Sequence, residues 1–95
     1  MPAVGLLTLE ILISDAQSLK DKRQVVRALK DRLRNRFRVS VAETDHLDSW
    51  QRAQVAVAVV GPDGAVVDSV LRCAEGAAEE FLAGELVDSS IEILC

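Results

Sequence analysis

The chain has 95 residues, of which 49% are hydrophobic and 27% charged, with a formal net charge of -4. That length suits one domain with one core, over residues 1–95, and the apolar share excludes a disordered chain. No apolar run approaches the ~18 residues a membrane span needs, and the N-terminal MPAVGLLTLEILI lacks the basic flank of a signal peptide, so a cytoplasmic protein is expected. Cys73 and Cys95 offer neither a disulfide framework nor a CxxC spacing and are expected to be reduced thiols.

Residues 4 to 14 alternate as a strand, with Leu7, Leu9, Ile11 and Ile13 on one face and Leu6, Thr8, Glu10 and Leu12 on the other. A helix is expected from the N-cap Ser18 to about Phe37. Val25, Val26, Leu29, Leu33 and Phe37 form its apolar stripe, and Asp21 supports the cap. Residues 38 to 44 read as a second strand with Val39, Val41 and Glu43 on one face. After a polar loop, residues 51 to 60 read as a third strand with Ala53, Val55, Val57 and Val59 inward. Its near-continuous apolarity places it centrally. Gly61 to Gly64 break the strand, and a second helix runs from about Asp63 to Ala83 with Gly84 as its stop. Residues 86 to 95 supply a last strand, with Ile91 and Ile93 facing the core.

Strand, helix, strand, strand, helix, strand is the α+β, ferredoxin-like βαββαβ pattern: a four-stranded antiparallel sheet with both helices on one face. The other face has no second layer within the chain, and its small and apolar residues suggest a covering partner. Leu6, Leu12, Ala42, Trp50 and Ala56 are its candidate interface residues, and a homodimer through that face, or through the edge strand VSVAE, is one expectation.

Charge is divided along the chain. Residues 20 to 38 hold nine cations against Asp21 and Asp31, a balance of +7; the remainder holds two cations against thirteen carboxylates, a balance of -11. Lys20, Arg23, Arg27, Lys30 and Arg34 recur at helical spacing and form a ribbon, with Lys22 and Arg36 at its margins. Phosphate backbones reward such a ribbon by counterion release, so RNA or the ribosome is the expected partner. The bland alternative is a solvated helix face. A more local anion site at the helix start would gather Ser18, Lys20, Lys22 and Arg23 around the free amides, without the glycines that let a backbone wrap a phosphate.

Other chemistries find little support. No DNA-specific motif is present, and no exposed aromatic residue is expected on the central strands for base stacking. Asp45, His46 and Asp48 invite a metal or acid-base reading, but one His and two Asp make a poor ligand set, and a surface loop with a hydrogen-bonded His is preferred. Trp50 is either a binding anchor or a lid on the edge of the core, with the structural role narrowly preferred. One His in the chain gives no pattern that activates a Ser or Cys nucleophile, so no enzyme, cofactor or metal is expected.

The run from Asp15 to Ala53, with SLKDKR at 18 to 23, RLRNRF at 32 to 37, VSVAE at 39 to 43 and WQRA at 50 to 53, resembles the YlxP-like family of small uncharacterised bacterial proteins. Arg38 stands where relatives often carry Asn. The resemblance implies the ferredoxin-like fold and brings no established activity or catalytic residues. Family genes often lie beside those of translation and ribosome-maturation factors, which favours a ribosome or RNA partner by association.

Overall fold

A computed structural model describes residues 1–94. Six elements follow one another: β1 (Ala3–Leu12), α1 (Leu19–Arg36), β2 (Ser40–Asp45), β3 (Arg52–Gly61), α2 (Gly64–Leu82) and β4 (Leu86–Leu94). The sheet is antiparallel with strand order β2-β3-β1-β4. The ferredoxin-like architecture is therefore present, with β1 and β3 central. Cys95 lies outside the described residues; Cys73 is a free, exposed thiol on α2.

The inner rows follow from strict alternation. Ala3, Leu7, Leu9 and Ile11 of β1 and Ala53, Val55, Val57 and Val59 of β3 are buried, and Val67, Leu71, Ala74, Ala78 and Leu82 of α2 close over them. Helix α2 lies especially close to β1. A Cβ built on Gly5 would stand 2.4 Å from Val67 Cγ1 and 2.7 Å from Leu71 Cδ1, so only glycine permits this approach. Helix α1 contributes Val26, Leu29 and Leu33 to the core, with Val25 and Phe37 half-buried beside them.

Both helix starts are capped as their sequences direct. The Ser18 hydroxyl accepts from the Asp21 amide at 3.1 Å and Asp63 Oδ1 accepts from the Val66 amide at 3.0 Å. At the end of α2 the left-handed capping residue is Ala83, φ 49°, followed by Gly84 at φ 99°, so the helix stops one residue before the expected glycine. The second strand also begins at Ser40 and not at Arg38, because α1 is capped at Phe37 and the chain needs residues 38 and 39 to return to the sheet.

Candidate functional site

The basic helix divides into three groups of cations once it is packed. Lys20, Arg23 and Arg27 are exposed, Lys30 is partly so, and none of the four has a carboxylate within ion-pair distance among the described residues. Lys20, Arg23 and Arg27 line a shallow depression with Gln24. At about 1.5 Å rise per residue, the stripe from Lys20 to Arg34 is roughly 21 Å long.

The second group is occupied. Arg34 donates to the Val41 carbonyl of β2 at 2.7 Å, so its guanidinium lies against the backbone of the edge strand. Arg32 sits over the Phe81 ring at 5.2 Å, joining α1 to α2, and Arg36 sits over Phe37 at 5.4 Å.

The third group is Lys22 alone, and it corrects the sequence-based expectation of an anion-binding role. Its side chain is fully buried. The ammonium donates to the carbonyls of His46 at 2.8 Å, Leu47 at 3.3 Å and Arg52 at 3.3 Å, and Glu43 Oε2 lies 2.9 Å away. An ammonium has three protons, and four acceptors surround this one. The three carbonyls accept from the ammonium, and the buried Glu43 Oε2 is paired with it by charge.

The expected anion site at the helix start is not assembled either. Ser18 Oγ is engaged by Asp21 N–H, the Asp21 carboxylate accepts from the Gln17 amide at 3.0 Å, and Lys22 turns inward. A carboxylate already occupies the positive end of the helix. Ser18 and Lys22 therefore build the helix and its seat, while Lys20 and Arg23 belong to the exposed stripe.

Lys22 fastens the β2–β3 connection to the first turn of α1, and neighbouring residues reinforce that fastening. Gln51 Nε2 donates to the carbonyls of Ser14 at 3.1 Å and Ala16 at 3.3 Å, the Ile13 amide donates to the Gln51 carbonyl at 2.7 Å, and Ser49 Oγ accepts from the Arg52 amide at 3.1 Å. Trp50, between these anchors, is 55% exposed and does not serve as a lid on the core. His46 has φ 60°; its carbonyl accepts from Lys22, and its ring lies 3.6 Å from Glu10 Oε2 and 3.9 Å from Asp45 Oδ1. Asp48 takes no part in ion pairing, and no group of three metal-ligating side chains occurs among the described residues.

The outer face of the sheet has two unlike halves. Val4 pairs with Val60 and Leu94 in register, and Leu6 with Ala58 on one side and the exposed Glu92 on the other, giving a largely apolar half that carries one carboxylate. Farther along, Gln54 Nε2 donates to Glu10 Oε1 and Thr44 Oγ1 donates to Gln54 Oε1 at 2.8 Å, giving a polar half with its own bonds. Of the expected interface residues, Leu6, Ala42 and Ala56 occupy the middle of this face, with Ala42 and Thr8 flanking Ala56, while Leu12 and Trp50 lie at the loop end. Far from all of these, the Arg72 guanidinium of α2 is held above its ordinary range by its hydrogen bond to Asp68. Among the described residues no helix is long and apolar enough to cross a membrane.

This architecture defines a ferredoxin-like protein. It is similar to a de novo designed protein with ferredoxin fold, at a TM-score of 0.56 and 14% identity over 98% of this chain and 83% of that one. It is also similar to a dimeric ferredoxin-like protein of unknown function from Thermobifida fusca, at 0.51 and 17% over 97% and 91%. Both likenesses concern the fold. The family model described as protein of unknown function (DUF503) matches residues 4–91, and the chain belongs to that family. YlxP of Bacillus subtilis, described as an uncharacterized protein, is 40% identical over 57 residues, which are 60% of this chain and 62% of that relative's length.

Of the ribbon expected from spacing, Lys20, Arg23, Arg27 and Lys30 lie on the outer side of α1, Arg34 bonds the Val41 carbonyl, and Lys22, expected at the margin, is buried against Glu43, a pairing the spacing did not reveal. The available signal was position: one turn before Val26, Lys22 falls on the helix face that also carries Leu29 and Leu33.

Proposed function

We propose that the protein is a non-enzymatic, RNA- or ribosome-associated module that docks through the outer stripe of α1. The observation that carries this reading is the row Lys20, Arg23, Arg27 and Lys30, without carboxylate partners among the described residues, in a chain whose net charge is negative. A polyanion neutralises such a row and releases its counterions. The test is binding to ribosomal subunits and total RNA across a salt series, beside the triple variant R23E/R27E/K30E. Arg34 is left in place because it also holds β2. Binding that falls steeply with salt and disappears in the variant supports the reading; binding indifferent to salt overturns it.

A second reading, a homodimer through the outer sheet face, is favoured by the apolar half at Val4, Val60 and Leu94, which are 46%, 69% and 55% exposed. Assembly through the β2 edge has less support, since an added strand would meet Arg34 against Val41. Sedimentation of the V60E variant beside the unaltered protein tests the face: a monomer produced by that change supports it, and a monomer from both excludes it.

A further inference from the structure

At the end of the sheet where β1 leaves and β3 enters, three large apolar side chains are exposed on neighbouring stretches of backbone: Leu12 is 43% exposed, Leu47 56% and Trp50 55%. Leu12 pairs directly with Arg52, and Trp50 and Leu47 precede Arg52 on the connection from β2. Exposed apolar residues on a floppy loop signify little. This loop is not floppy: Lys22 holds His46, Leu47 and Arg52 by their carbonyls, and Gln51 and Ser49 make four further bonds. The side chains are thus presented on a fixed backbone, which lowers the entropy lost on binding.

The surrounding charge says what they would meet. Asp15 and Asp48 are exposed on the connecting segments, Asp45 is exposed at the end of β2 with Oδ1 accepting from the His46 amide, and the half-buried Glu85, whose carbonyl accepts from the Leu12 amide, adds a fourth carboxylate; Arg52, at the start of β3, is the single Lys or Arg in residues 13–18, 45–52 and 83–86. Phosphate would be repelled here, so the patch does not extend the RNA-facing stripe of α1. An apolar anchor rimmed by carboxylates fits a segment that carries both apolar and cationic side chains.

We propose that Trp50, Leu47 and Leu12 form a protein-docking patch whose occupant is a basic, amphipathic peptide segment of a partner protein. The patch is separate from the α1 stripe and does not depend on the RNA reading. Trp50 supplies the central contact, and the carboxylates of Asp45 and Asp48 select for Lys and Arg.

The test uses the full chain and the fluorescence of Trp50, the sole tryptophan. The probes are three synthetic peptides: one of alternating Lys and Leu, oligolysine of the same length, and one of alternating Glu and Leu. The Lys-Leu peptide is expected to shift the emission to shorter wavelength, with affinity at least tenfold weaker for W50A and for D45N/D48N, and unchanged for R23E/R27E. Circular dichroism confirms that each variant is folded. Equal binding of the Glu-Leu peptide or of oligolysine overturns the proposal. So does an emission shift produced by oligouridylate, or one that grows with protein concentration alone, which would make the patch a nucleic-acid contact or a contact between copies of this chain.

Discussion

The Lys22 ammonium lies 2.9 Å from Glu43 Oε2 inside the protein, and it reaches that carboxylate from the first turn of α1 to the middle of β2. Because the same ammonium holds three carbonyls of the segment that follows β2, one side chain fixes the helix start, the edge strand and the loop together. Replacing it leaves a buried carboxylate without its counter-charge, a loss of about 3–5 kcal/mol. Lys22→Met is therefore expected to remove a large fraction of the stability of a small domain, which is on the order of 5–15 kcal/mol. Urea denaturation checks this, and Glu43→Gln, which keeps the three carbonyl bonds, should cost less.

Arg27 is exposed and has no carboxylate partner among the described residues, so its removal should be felt by a polyanion and not by the fold. Arg27→Ala is expected to leave the melting temperature unchanged while lowering the salt slope of RNA binding by about one unit. An unchanged slope would remove Arg27 from the interface.

Ser18 caps α1 through its hydroxyl, and its replacement separates structure from binding. Ser18→Ala should cost about 1 kcal/mol in denaturant unfolding, with RNA affinity per folded molecule unaltered. Lost affinity in the fully folded variant would return Ser18 to the binding surface.

Gly5 admits α2 so closely that any Cβ must displace Val67 and Leu71. Gly5→Ala should destabilise by about 1–3 kcal/mol through overpacking, measured by the same unfolding experiment. A neutral result would show that α2 shifts freely on β1.

Ala83 ends α2 in the left-handed region at φ 49°, where a Cβ is unfavourable. Ala83→Gly is expected to stabilise by about 1 kcal/mol, raising the melting temperature by several degrees. Destabilisation would mean that the added chain entropy of glycine outweighs the relief.

The elements and their inward rows were legible in the sequence, because strand alternation and helical spacing are local periodicities read along the chain. So were the caps at Ser18 and Asp63 and the stripe Lys20, Arg23, Arg27 and Lys30, since these depend on residues three or four apart. The tertiary structure decided the rest. Lys22 has the same chemistry as Lys20 and becomes internal only because Glu43 and three carbonyls from 24 to 30 residues away converge on it. Arg34 becomes the neighbour of Val41, Arg32 that of Phe81, and Trp50 is turned outward by bonds made by the residues around it. A side chain's charge or apolar character is written in the sequence. Whether it meets solvent or a partner depends on which distant backbone groups the fold brings to its tip.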